Sequence, residues 1–256
     1  MPLPMPPNHF KAALAQQRPL FGFWLALADA SVAEICAGVG FDWLLIDAEH
    51  GPQTLPGIID QLRAIEGCSS CAAVVRAPSS DPIALRQILD LGAATLMIPM
   101  VENAEQATRI VDACRYPPAG SRGIGGARAS RWGAIPTFVS EANAQLCVIA
   151  QIETMAGIEN LEAIAAVDGV DALFIGPADL AASAGLMGSS NRDRLRDLTL
   201  DALARIIATG KPAGILSRDL SLVDAHLSAG ASFVAVGIDA FALADAAGRL
   251  LERFKP

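Results

Sequence analysis

Short apolar runs punctuate the chain at regular intervals, at residues 21–27, 42–47, 72–77, 94–100, 147–153, 172–177, 212–217 and 233–239. Most are apolar at consecutive positions rather than alternating, the pattern of strands buried on both faces of a parallel sheet. The segments between them read as helices. Residues 31–38 follow Asp29 as a cap, 82–91 open on Pro82 and stop at Gly92, and 104–114 begin after Asn103. Residues 193–209 are amphipathic and end at Gly210, 221–229 end at Gly230, and 240–254 close the chain. Strand–helix alternation repeated eight times predicts a (β/α)8 TIM barrel. A doubly wound open sheet gives the same alternation, but the first strand is not followed by a GxGxxG turn, which favours the barrel.

In such a barrel chemistry gathers at the C-terminal ends of the strands. The second run ends on IDAEHG, the third on VRA, the fifth on QIET and the sixth on IGPAD. Glu153 and Asp179 are therefore hard oxygen donors at the ends of neighbouring strands. With waters and a chelating substrate they suit Mg²⁺, Mn²⁺ or Co²⁺; the alternative is that each caps the helix that follows. Asp47 stands three residues before His50, so an Asp–His pair in which Asp47 orients the imidazole is expected, against a purely structural histidine. Arg76 offers a fixed cation for a carboxylate or a developing oxyanion, or else an ion pair with an acid such as Asp90. One segment breaks the rhythm. Residues 115–143 are long for a simple connection, rich in glycine, and carry Arg128, Arg131 and Trp132; they are expected to form an extended loop that covers a site or bridges subunits.

Composition narrows the classes. In 256 residues, 52% are hydrophobic and 18% charged, enough for a large core and too apolar for disorder. A formal net charge of −8 with no basic block argues against nucleic acid or an anionic membrane as partner. Mean hydropathy is high at +0.40, yet the apolar runs are too short to span a bilayer. The proline-rich start lacks the pattern of a signal peptide, so a cytoplasmic location is expected. The five cysteines are scattered and do not form a disulfide framework, and the Cys68–Cys71 pair lacks partners that would complete a zinc site. The three lysines, Lys11, Lys211 and Lys255, sit near the termini or before the seventh strand. No Schiff-base lysine is expected, which leaves the electrophilic work to a metal.

The stretches FDWLLIDAEHGP at 41–52, VVR at 74–76, YPPAGSRG at 116–123, ASRW at 129–132, QIET at 151–154, FIGPADL at 174–180 and AVGID at 235–239 together resemble the HpcH/HpaI aldolases. The likeness runs from residue 21 to 254, and the combination is specific although each motif alone is weak. It implies a single pyruvate-domain barrel over residues 1–256 and a metal-dependent aldolase. Such an enzyme cleaves 4-hydroxy-2-oxo acids, 4-hydroxy-2-oxoheptanedioate or a sugar-acid relative, to pyruvate or hydroxypyruvate and an aldehyde through an enolate. By that resemblance Glu153 and Asp179 bind the metal, His50 supported by Asp47 is the acid/base group, and Arg76 contacts the keto oxygen. Gln151 and the backbone at Ala178 and Asp179 hold the carboxylate. It also implies a homohexamer with exchanged C-terminal helices. A decarboxylase or lyase sharing the enolate chemistry, and a non-catalytic ligand-binding barrel, are the competing readings.

Overall fold

The computed structural model describes residues 1–16, 18–68 and 71–255. Eight parallel strands close into a barrel in chain order: β1 (Leu20–Leu25), β2 (Trp43–Asp47), β3 (Ala72–Arg76), β4 (Thr95–Ile98), β5 (Cys147–Ile152), β6 (Ala172–Ile175), β7 (Ala213–Leu216) and β8 (Phe233–Ile238). The open-sheet alternative is thereby excluded. Around them lie α1 (His9–Leu14), α2 (Ala30–Val39), α3 (Leu55–Glu66), α4 (Pro82–Asp90), α5 (Ala104–Cys114) and α6 (Phe138–Gln145). The circuit continues through α7 (Met155–Glu159), α8 (Leu161–Ala165), α9 (Pro177–Ser183), α10 (Arg192–Ala208), α11 (Val223–Ser228) and α12 (Asp239–Glu252).

Side-chain parity sets the two cores. Along β2, Trp43 and Leu45 point into the barrel while Leu44 and Ile46 face the helices; β5 repeats this with Cys147 and Ile149 inside, Val148 and Ala150 outside. The inner cluster is closed from the N-terminal side by α1, whose Phe10 packs edge-on against Trp43 and Phe233 at 5.8 and 5.6 Å. Asn8 caps α1 through the Lys11 amide and ties it to the mouth through Ala94 and Thr95. Continuing the inward parity to the strand ends brings Asp47, Arg76, Gln151, Glu153 and Gly176 to one end of the barrel interior. All five are buried.

Several helices lie outside the sequence reading. α3 is the clearest: Thr54 accepts from the Gly57 amide and Pro56 sits in the first turn, a legible start that no strand-centred pattern exposes. α7 and α8 are five residues each, broken at Asn160, and too short to show a period. Residues 115–143 are not one extended loop. They contain a 3-10 turn at Arg128–Ser130 and the start of α6. Nor do they cover their own barrel's catalytic end. Arg122 pairs with Asp90 at the end of α4 (2.8 Å), and Arg128 binds the Leu91 carbonyl and Glu66 at the end of α3 (2.6 and 2.8 Å). Those anchors lie on the N-terminal face, opposite the strand ends. All five cysteines are free; residues 69 and 70 of the Cys68–Cys71 linker lie outside the described residues. Among the described residues no helix is long and apolar enough to cross a membrane.

α12 makes little use of its own barrel. Phe241, Leu243, Leu250, Leu251 and Phe254 remain solvent-exposed, as do Ile35 and Val39 on α2. An apolar helix face left in water is costly unless another surface covers it.

Candidate active site

The rim is organised by Asp47. Its carboxylate accepts a two-pronged bond from Arg76, Nε to Oδ1 at 2.9 Å and Nη2 to Oδ2 at 2.7 Å. Trp24 Nε1 donates to Oδ2 at 3.1 Å, and the amides of Glu49 and His50 donate to Oδ1 at 3.1 and 3.2 Å. Burial opposes ionisation here, but the guanidinium fork, the indole and the amide outweigh it and hold the carboxyl below the usual range. The expected Asp47–His50 side-chain pair is therefore absent: Asp47 holds the His50 backbone, and its charge is spent on Arg76. β2 and β3 pair in register at these two residues, which is why they meet. Arg76 does not reach Asp90, which binds Arg122 instead.

The imidazole of His50 is largely exposed, and its nearest carboxylate is Glu49, with Nε2 3.9 Å from Oε2. Glu49 is the residue sequence reasoning passed over, although it stands inside the IDAEHG stretch. The same Oε2 lies 2.9 Å from Arg76 Nη1, off the direction needed for a hydrogen bond, and has no other partner. Burial, opposed by Arg76 and His50 and reinforced by Asp47 and Asp179, raises the Glu49 carboxyl above its ordinary value.

Glu153 follows β5 at an inward position and is almost wholly buried. The Met100 amide donates to its Oε1 at 2.8 Å, and Gln151 Nε2 donates to its Oε2 at 2.5 Å. To aim that amide, Met100 adopts a left-handed backbone, φ 57°, that a side chain disfavours. Burial pushes the Glu153 carboxyl up to about 7, against the Met100 bond and with help from Glu49 and Asp179. Beside it, Gly176 leaves no room for a side chain: a Cβ there falls 2.4 Å from Glu153 Oε2 and 2.9 Å from Gln151 Nε2. Asp179 lies in the first turn of α9, near enough to raise the Glu153 carboxyl. α9 has no side-chain cap, so the amides of Ala178 and Asp179 lack intrahelical acceptors and remain available to an anion.

The model of the HpcH/HpaI aldolase/citrate lyase family matches residues 20–246. The chain belongs to the HpcH/HpaI aldolase/citrate lyase family. It is 64% identical over 250 residues to a 4-hydroxy-2-oxovalerate aldolase of Novosphingobium aromaticivorans, covering 98% of this chain and 95% of that one. It is 51% identical over 261 residues to a hydroxypyruvate/pyruvate aldolase of Deinococcus radiodurans, covering 100% and 94%. A crystal structure of a family member from Burkholderia cenocepacia superposes with a TM-score of 0.92 at 36% identity, covering 97% and 100%.

The HpcH/HpaI aldolases use a divalent metal, and the residues present fit one. Glu153 and Asp179 supply hard carboxylate oxygens, Gln151 Oε1 is buried with no partner, and Gly176 keeps the space beside Glu153 open. Among the described residues no group of three or more His, Cys, Asp or Glu side chains gathers to hold a metal, so a cation here would rest on these two carboxylates together with water and substrate.

Proposed function

We propose that this HpcH/HpaI family member is a metal-dependent aldolase that reversibly cleaves 4-hydroxy-2-oxo acids to pyruvate, or hydroxypyruvate, and an aldehyde. The carrying observation is the convergence of Glu153, Asp179, Gln151 and Arg76 on one rim of a chain 64% identical, end to end, to a 4-hydroxy-2-oxovalerate aldolase. Glu153 and Asp179 would hold Mg²⁺, Mn²⁺ or Co²⁺, which when bound supplies Lewis acidity toward the carboxylate and 2-keto oxygen of the keto acid.

The chain's own groups do the rest. Gln151 and the free amides of Ala178 and Asp179 orient the keto-acid carboxylate. Arg76, locked in direction by Asp47, faces the keto oxygen with a charge that cannot swing away, and so meets the enolate as it forms. His50, at the open edge of the rim beside Glu49, accepts the C4 hydroxyl proton directly or through water. The C3–C4 bond then breaks, the aldehyde leaves, and protonation at C3 completes pyruvate. A reading without a Schiff base is supported by two of the three lysines: Lys11 binds the Leu146 carbonyl and Asp171, and Lys211 the Val170 carbonyl, both at the opposite face.

The exposed apolar face of α12 and the anchoring of residues 115–132 on the N-terminal face support a homo-oligomer, a hexamer with exchanged α12 helices. In it the glycine-rich loop reaches a neighbour's catalytic end. Free thiols accord with a cytoplasmic location. The test is pyruvate release from 4-hydroxy-2-oxovalerate with and without divalent metal, run beside borohydride reduction in the presence of pyruvate. Metal-dependent release with no lysine adduct is expected; full activity after exhaustive chelation, or a trapped adduct, overturns the reading. No turnover of 4-hydroxy-2-oxovalerate, with metal-dependent release of pyruvate and carbon dioxide from oxaloacetate, favours the decarboxylase alternative. Sedimentation should show an oligomer, and a fully active monomer would defeat the shared pocket.

A further inference from the structure

A cleft of about 400 Å³ lies between α10, α11 and the connection that follows β7. Asp47, Arg76, Gln151, Glu153 and Asp179 do not line it, but it adjoins the rim through Pro177, two residues before Asp179, and through Leu216, which packs against the inner cluster. This volume is in the range that holds small ligands. Its walls are apolar, formed by Pro177, Leu195, Ile215, Leu216 and Leu222.

Its polar groups are distinctive. His226 is 3% exposed, lines the cleft and makes no side-chain hydrogen bond among the described residues; its Nδ1 is sealed without a partner. A proton on Nδ1 would be an orphaned buried donor, which costs about 1–3 kcal/mol. Nε2 is the ring nitrogen left open to a ligand, and with its N–H there the ring can donate. Burial also pushes the imidazole below its ordinary range and keeps it neutral. A neutral ring with one unsatisfied N–H is a donor in search of an acceptor.

The mouth is cationic in a chain of net charge −8. Arg192, Arg196 and Arg218 line it, against Asp193 and Asp219. Asp193 is paired with Arg196 at 3.0 Å, whereas Asp219 accepts from the Ser221 hydroxyl at 2.6 Å and its amide at 3.1 Å and keeps its charge. Arg218 lies 3.8 Å over the Phe241 ring, a contact that holds the guanidinium without neutralising it. The Ser221 hydrogen bonds, and more weakly Arg192 from a distance, hold the Asp219 carboxyl below its ordinary value, and Arg192 forms no ion pair with it among the described residues. The lining thus carries three arginines against two aspartates, and Arg192 and Arg218, with no ion pair among the described residues, stand above an apolar hollow that His226 lines.

We propose that this cleft is a second ligand site, which takes a small monocarboxylate with an aliphatic body. The body lies against Leu195, Ile215 and Leu222, and the carboxylate accepts from Arg192, Arg218 and the His226 N–H. An aliphatic alcohol lacks the charge for the mouth, and inorganic phosphate lacks the body for the walls.

Titration calorimetry with hexanoate tests this, using the intact enzyme saturated with pyruvate and Mg²⁺ so that the rim is filled. Hexanoate should bind, with hexanol and inorganic phosphate each weaker by about tenfold or more, a difference of about 1.4 kcal/mol. The surface pair R192Q/R218Q should weaken hexanoate at least as much while leaving turnover intact. H226F should weaken it too, with circular dichroism reporting whether that variant folds; the arginine pair decides the matter if it does not. Absence of binding at millimolar hexanoate, unchanged affinity in R192Q/R218Q, equal binding of hexanol or phosphate, or displacement of hexanoate by pyruvate overturns the proposal. None of these outcomes depends on whether the rim cleaves a hydroxy-oxo acid.

Discussion

Asp47→Asn isolates what the Arg76 fork contributes, because the side chain keeps its shape and only the acceptor pattern and charge change. Five donors converge on the two oxygens: Arg76 Nε and the Glu49 and His50 amides on Oδ1, Arg76 Nη2 and Trp24 Nε1 on Oδ2. An asparagine amide replaces one oxygen with a donor. Whichever way it turns, at least two donors lose their acceptor and one of them belongs to Arg76. Each of these bonds is to a charged carboxylate and contributes about 1.5–3 kcal/mol, so the loss of two comes to about 3–6 kcal/mol. Breaking a buried ion pair costs about 3–5 kcal/mol by an independent route, and both partners here are almost fully buried. In a chain of this length each kcal/mol moves Tm by about 2–4 °C, so D47N should melt about 10 °C below the parent. Differential scanning calorimetry reads this, and exchange of the pyruvate C3 protons reads the second consequence. With Arg76 no longer held, enolate formation should slow together with aldol cleavage. A Tm within about 2 °C of the parent, with parental exchange, refutes the claim that Asp47 acts through Arg76.

Three further outcomes are expected. Gly176→Ala places a Cβ 2.4 Å from Glu153 Oε2, so it should displace the carboxylate and weaken metal binding, read by metal titration of the folded variant. Met100→Gly relieves a left-handed residue at φ 57° without removing the amide that holds Glu153, so it should be neutral or stabilising by up to about 1 kcal/mol, whereas Met100→Val should destabilise; urea unfolding of the two separates strain from side-chain packing. His226 is held below its ordinary value of 6.5 by burial, so the unfolded chain binds this proton more readily. Its contribution is whole above about pH 6.5 and is lost as the pH falls through the lower folded value, and H226F should flatten that acid limb in stability measured from about pH 7 to 5.

The strand count, the parallel barrel and the rim residues were legible in the linear chain. Eight apolar runs fix the number of strands, and a parallel closed sheet places every run's C-terminal end on the same side. Within each run the two-residue period then decides which side chains enter the barrel, which is why Asp47, Arg76, Gln151 and Glu153 all arrive inside. What the chain did not reveal was partnership. Asp47 is three residues from His50 and twenty-nine from Arg76, yet it binds the Arg76 side chain and only the His50 backbone. Strand register brings Asp47 and Arg76 side by side, whereas the turn after β2 carries the imidazole outward. Glu49 became visible for the same reason: its carboxylate matters only because β3 delivers a guanidinium beside it. The glycine-rich segment carries no sign of which face it occupies; its arginines find acids at the ends of α3 and α4, and only closure of the barrel puts those ends opposite the rim. Local pattern determines which elements form and which way each residue points, while contacts across long loops depend on how the elements are brought together in space.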